Sequence, residues 1–149
     1  MDLAGCTPVG ASRPRHGSRL DPHLRDRRGQ QRRTALNTVQ AYNPSTNSWT
    51  TKASLPAARP SGNGATHITG TIYVPGGQDA AGVITRTLYA YKISTNLWST
   101  KATMPVFSGC GGSGVISGKL YVYSGCTKTG TGPQTAAGLL HRYDPIADA

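Results

Sequence analysis

Beyond residue 35 the apolar residues come in short bursts, and the polar residues between them carry turn signals. Gly64 to Ile68 and Ser113 to Ile116 alternate small and apolar side chains, while Ile72-Tyr73-Val74 and Leu120-Tyr121-Val122-Tyr123 are short apolar runs. Period-two runs this short, bounded by glycine and serine, predict strands. The pairs Thr69-Gly70 and Ser117-Gly118 fall between two such runs and suit two-residue hairpin turns. After a polar loop a third strand is expected to end at Tyr42, Tyr91 or Tyr143. The Pro44-Ser45-Thr46-Asn47 turn then leads to a fourth strand carrying Trp49, with Trp98 in the same place one unit later. Residues 1–35 show no apolar periodicity and no aromatic residue.

The bursts repeat. Tyr42 and Trp49 recur at Tyr91 and Trp98, a shift of 49 residues, and Lys52-Ala53 with Leu55-Pro56 recurs as Lys101-Ala102 with Met104-Pro105 at the same shift. Ile72-Tyr73-Val74 and Gly77 recur as Leu120-Tyr121-Val122 and Gly125 at a shift of 48. Leu140 to Pro145 opens a third copy of the Tyr motif. Four antiparallel strands per unit of about 50 residues is the blade of a β-propeller. The repeat divides the chain into an Arg-rich tail (1–35), a partial blade of two strands (36–52), a complete blade (53–101) and a blade lacking its last strand (102–149).

The Gly-Gly doublet after a strand, the spaced Tyr and Trp, and the Tyr-Asn-Pro-Ser-Thr-Asn-Ser-Trp phrase at 42–49 resemble kelch repeats. The resemblance implies an all-β fold, an incomplete kelch-type β-propeller of four-stranded antiparallel blades. Gly76, Gly77 and Gly125 then serve φ > 0 and close backbone approach at strand ends. Tyr42, Trp49, Tyr91, Trp98 and Tyr143 are expected to pack between neighbouring blades. Three positions depart from the pattern: Ser124 stands for Gly76, Ile93 for Pro44 and Ser108 for Arg59. Propellers typically close with 4–8 blades, the next Trp would fall at 150, and Arg27-Arg28 stands where a preceding glycine doublet is due. The expectation is a piece of a larger propeller, whose missing blades would cover the end faces and strand edges.

Charge sharpens this division. Half of the net +10 lies in residues 1–35, which hold eight arginines against three aspartates, and the rest is spread thinly over a mildly basic domain. Such a segment cannot bury enough surface to offset chain entropy, so disorder is expected there. It lacks stacking aromatics between its arginines, which argues against specific nucleic-acid binding. The chain has no Glu, and beyond the tail only Asp79, Asp144 and Asp148 supply carboxylates, so a paired-carboxylate hydrolase is excluded. No run of about 18 apolar residues is present to cross a membrane as a helix. No apolar core of a secretory signal follows Met1 either.

In kelch propellers the loops from strand two to three, and from strand four into the next blade, commonly form the binding face. Here these are 78–85, 127–135, 57–63 and 106–109. Their chemistry rests on Arg59, Gln78, Asp79, Phe107 and Lys128, a set suited to an acidic peptide or a sugar. The plainer alternative has Arg59 packed across a blade junction and the others solvated. The resemblance therefore implies a non-catalytic scaffold for a protein or carbohydrate ligand, with no cofactor. The rival is a galactose-oxidase-like copper enzyme, which needs His and Tyr ligands converging on one point. Among the four histidines, His16 and His23 lie in the tail, His67 precedes a hairpin turn and His141 sits in a strand, so no metal set is visible.

Three cysteines leave an odd count. In a hairpin turning at Ser117-Gly118, Cys110 faces Gly125 and Cys126 is one step out of register. A bulge at Gly109 or Gly125 would permit a Cys110–Cys126 bridge; without it both remain thiols. A bridge would imply an oxidising compartment, and kelch proteins occur both exported and in the cytosol, so the compartment stays open.

Overall fold

The computed structural model describes residues 35–127 and 135–149. Every regular element among them is a strand, and there are nine: β1 (Val39–Asn43), β2 (Ser48–Lys52), β3 (Thr66–Ile68), β4 (Thr71–Pro75), β5 (Leu88–Lys92), β6 (Leu97–Lys101), β7 (Gly112–Ile116), β8 (Lys119–Thr127) and β9 (Thr135–Tyr143). They form three antiparallel sheets: the β1-β2 hairpin, the four-stranded blade β3-β4-β5-β6, and the three-stranded β7-β8-β9. The expected tail of residues 1–35 lies outside the described residues except for its last member.

Turn chemistry explains why the chain folds back where it does. Thr69 and Gly70 have φ of 41° and 72°, and Ser117 and Gly118 have 50° and 73°. Two successive left-handed residues match the right-handed twist of the strands they join. The outer hairpins instead turn through four residues and close on Asn47 and Asn96, at φ 49° and 56°. Asparagine tolerates this region better than most residues because its amide bonds locally. The registers then place Tyr42 opposite Trp49 and Tyr91 opposite Trp98. The ring centroids stand 5.1 and 5.0 Å apart, tilted by 44° and 40°.

The core lies between the four-stranded and three-stranded sheets. Tyr73, Leu88, Ala90 and Met104 meet Leu120, Val122 and Tyr143 there, and β3 runs against β7 and β8. Tyr73 and Tyr143 pack with centroids 5.8 Å apart.

Two expectations need correction. The first strand of the complete blade begins at Thr66 rather than Gly64, because Gly64 sits at φ 81°, outside the extended region. Tyr42 and Trp49 keep their mutual contact but are not packed between blades: they are 46% and 66% exposed, whereas Tyr91 is only 5% exposed. Trp98 gains its cover from the strand exit 45 residues earlier, where its Nε1–H donates to the Ala53 carbonyl at 2.8 Å. Among the described residues nothing does the same for Trp49.

Candidate binding face

β4 ends at a glycine doublet because the chain must pass between two other loops. The Gly76 N–H donates to the Thr87 carbonyl, the Gly77 N–H to the Ser108 carbonyl and the Gln78 N–H to the Ser61 carbonyl, each at 2.8 Å. Gly76 and Gly77 adopt φ of 53° and 85°. A Cβ on either would stand well under 3.0 Å from a backbone carbonyl oxygen, that of Ser108 or Ser61. Gly125 bears out only the close approach, with a Cβ there pressed against the Cys110 carbonyl; it does not take the left-handed φ expected of it, because β8 continues through it as strand.

Beneath the doublet lies a polar cluster. Asn63, Ser108 and Ser124 are buried. The Asn63 amide donates to the Ser108 hydroxyl at 2.8 Å, the Ser108 carbonyl at 3.1 Å and the Pro75 carbonyl at 3.3 Å. Its Oδ1 accepts the Gly111 N–H at 3.0 Å. Ser124 donates to Ser108 at 2.9 Å, so two of the three residues that depart from the repeat bond each other. Buried polar groups must be paired, and here the pairing fastens one blade's entry loop to the next.

Cys110 and Cys126 are joined by a disulfide, with Cα atoms 5.4 Å apart. Gly109 pairs with Cys126 in the hairpin register, and Cys110 turns to φ 55° to meet its partner. On the other side of β8 the register slips between Ser124 and Cys126. The bridge closes a loop with a sequence separation of 16. In the chain-entropy view it stabilises the fold by about 3 kcal/mol. Denaturant unfolding with and without reductant is expected to show a loss of that size, absent from the Cys110→Ser/Cys126→Ser double variant.

The five loop residues singled out by sequence take separate roles. The Gln78 amide donates to the Gly82 carbonyl at 2.7 Å, and Asp79 Oδ1 accepts the Ala81 and Val83 N–H groups at 2.9 Å each. Both therefore hold loop 78–85 in shape. Arg59 places its Cζ 5.2 Å over the Tyr89 ring, and its Nη2 donates to the Tyr89 hydroxyl at 3.4 Å. It lines a cleft of about 350 Å³ with Val39, Leu55, Ile72, Tyr91 and Trp98. A cleft of about 150 Å³ repeats this lining one blade later with Leu88, Met104, Leu120 and Tyr143. By repeat position Ser108 and His141 correspond to Arg59 and Tyr89, and of the two only His141 lines this cleft. Phe107 is half-buried and carries the Arg86 guanidinium over its ring at 5.2 Å. Lys128 lies outside the described residues, as do 129–134 of its loop.

Arg86, Asn63 and Asp148 are the residues that sequence reasoning missed. Arg86 is exposed, and both ion pairs among the described residues belong to lysines, Lys101–Asp148 and Lys119–Asp144. Asp148 accepts the Tyr143 hydroxyl at 2.6 Å and the Ala102 N–H at 3.1 Å, which hold its carboxyl below the usual carboxylate range. Burial, reinforced by that carboxylate, pushes the Tyr143 phenol well above its ordinary value. A signal for Asp148 existed, since it follows Tyr143 by five residues as Asn96 follows Tyr91. Arg86 had none, because its aromatic partner lies 21 residues away.

His67 Nε2 accepts the Gly70 N–H at 3.0 Å and braces a hairpin turn, while His141 faces the smaller cleft. Among the described residues no three His, Cys, Asp or Glu side chains are placed to hold a metal ion, and no helix is long and apolar enough to cross a membrane.

No curated protein matches the chain. A family model described as Kelch motif matches residues 28–56 and 59–105, just over half of the sequence, and reaches back into the Arg-rich segment. The matched stretches contain the Tyr42–Trp49 and Tyr91–Trp98 hairpins and the Gly76-Gly77 strand end, the features on which the sheets are built. With four-stranded antiparallel pairing, a strand-ending glycine doublet and a family match over half its length, the chain belongs to the kelch-motif family.

Proposed function

We propose that this kelch module is a non-catalytic binding scaffold that recognises an acidic segment of a protein, or an acidic carbohydrate, through the loops around 57–63, 78–86 and 106–109. The observation that carries this reading is the exposed Arg86 guanidinium held over Phe107. A cation fixed on an aromatic ring keeps its outward N–H donors free while losing little further entropy on binding. The loops behind it are braced by the Ser61–Gln78 and Gln78–Ile84 bridges and by the disulfide, so the surface is preformed. Arg86 takes the recognition role that sequence suggested for Arg59, which is occupied by Tyr89. The bridge also suits an oxidising compartment. Missing blades of a larger propeller would complete the binding face.

The test presents immobilised acidic peptides and acidic oligosaccharides to the full chain. Arg86→Ala is expected to weaken capture roughly tenfold or more, the loss typical of one charge-assisted contact. Phe107→Ala should weaken it less. Capture unchanged by Arg86→Ala would refute the site, and copper-dependent oxidation of galactose by the chain would refute the non-catalytic assignment.

A further inference from the structure

The residue at the centre of the buried polar cluster also begins the chain's most labile dipeptide. The five asparagines are followed in turn by Thr38, Pro44, Ser48, Gly64 and Leu97, so only Asn63 precedes a glycine. An asparagine amide leaves as ammonia when the next residue's backbone nitrogen attacks its Cγ and closes a five-membered imide. Glycine hinders that attack least, because it has no side chain and its backbone turns freely. Gly64 is exposed at φ 81°, and even a Cβ there would meet nothing closer than Ser113 Oγ at 3.9 Å. Nothing crowds the attacking residue.

The group under attack is the guarded one. Asn63 is only 1% exposed. Its Nδ2 donates to the Ser108 hydroxyl, the Ser108 carbonyl and the Pro75 carbonyl, and its Oδ1 accepts the Gly111 N–H. Ring closure requires this side chain to turn onto its own backbone, which breaks all four bonds together. Asn47, which precedes Ser48, is exposed instead, and its Oδ1 accepts the Tyr42 hydroxyl at 2.8 Å. The fold therefore reverses the order of lability that the bare dipeptides imply.

We propose that Asn63-Gly64 is a fold-gated deamidation site, silent while the cluster stands and reactive once it opens. In an opened chain the Gly64 nitrogen gives up its proton and bonds to Asn63 Cγ. The Cγ–Nδ2 bond breaks, and Nδ2 leaves as ammonia, taking up a proton from solvent in place of the one Gly64 released. Water then adds to either imide carbonyl and opens the ring to aspartate or to its isomer linked through the side chain. Water is the sole co-reactant. Aspartate offers only acceptors to the Ser108 and Pro75 carbonyls, to which the amide donated, and an unpaired carboxylate is costly to bury. The isomer lengthens the main chain by one carbon beside the same cluster. Refolding restores neither, so the residue registers that the chain has been open.

The experiment holds the full chain at mildly alkaline pH with and without urea and follows the peptides bearing Asn63 and Asn47 for the mass gain of amide to acid. In urea Asn63 is expected to convert first. Without urea its rate should fall by at least about tenfold, because only opened molecules react, and Asn47 should overtake it. Converted chains, separated by ion exchange, should fail to recover the unfolding transition that unconverted chains regain when urea is removed. Asn63→Asp, which bypasses the reaction, is expected to behave as they do. Equal Asn63 rates with and without urea, or Asn63 still ahead of Asn47 in buffer, would overturn the proposal. So would converted chains that refold to the original midpoint.

Discussion

Gly76→Ala is expected to cost about 4 kcal/mol or more, enough to leave most of the chain unfolded at a typical domain stability. The added methyl would collide with the Ser108 carbonyl and stand 3.0 Å from Met104 Cε and 3.1 Å from the Asn63 amide. Two of these neighbours cannot yield: the Ser108 carbonyl is backbone, and the Asn63 amide is tied into the buried cluster by three donated bonds. The left-handed conformation at φ 53° adds about 1–2 kcal/mol for any L side chain. Gly118→Ala is the control, because Gly118 has φ 73° but open space around its Cβ position. That variant should lose only the conformational part, about 1–2 kcal/mol. Denaturant midpoints of the two variants separate collision from conformation, and equal losses would show that crowding at the doublet is unimportant.

The second large effect is expected at Asn63. Truncation to alanine strips the Gly111 N–H of its acceptor and the Pro75 carbonyl of its side-chain donor, in a place that water does not reach freely, while the Ser108 carbonyl keeps the Gly77 N–H. With each stranded group costing about 1–3 kcal/mol, the total is expected near 3–5 kcal/mol after local relaxation. Asn63→Asp should not rescue the loss, since a carboxylate cannot donate to the two carbonyls that the amide satisfies. Urea unfolding measures the sum, and faster hydrogen exchange at the Gly111 amide would locate it. A loss below about 1 kcal/mol would mean that water replaces the side chain.

Most of the architecture was legible because strand, turn and repeat signals agree. Thr69-Gly70 and Ser117-Gly118 announced their hairpins, and the 49-residue shift put Tyr91 and Trp98 on the third and fourth strands of one blade, where the register sets them opposite each other. Substitutions within the repeat were harder to interpret. Ser124 stands where Gly76 would be, and with it β8 runs on to Thr127, whereas β4 stops at Pro75. The loss of glycine lengthens a strand there. The binding face was the least legible. Gln78, Asp79 and Arg59 have the right chemistry, but their hydrogen bonds and ring contact are used inside the scaffold. Local sequence cannot say whether a loop side chain points inward to brace the loop or outward to solvent. Cys110 and Cys126 show the same limit, because their union depends on Cys110 turning left-handed beside an unshifted hairpin register, which no spacing rule specifies.

The hold on Ala53, whose N–H donates to Asn96 Oδ1 and whose carbonyl accepts the Trp98 indole N–H, has a direction. Asn96 and Trp98, like Asp148 on Ala102, lie downstream of the backbone they secure. During synthesis the received stretch therefore emerges first and the side chains that lock it arrive some 45 residues afterwards. Each junction can close as soon as its own outer hairpin is translated, so assembly proceeds in the order of the message, one wedge latching onto the last.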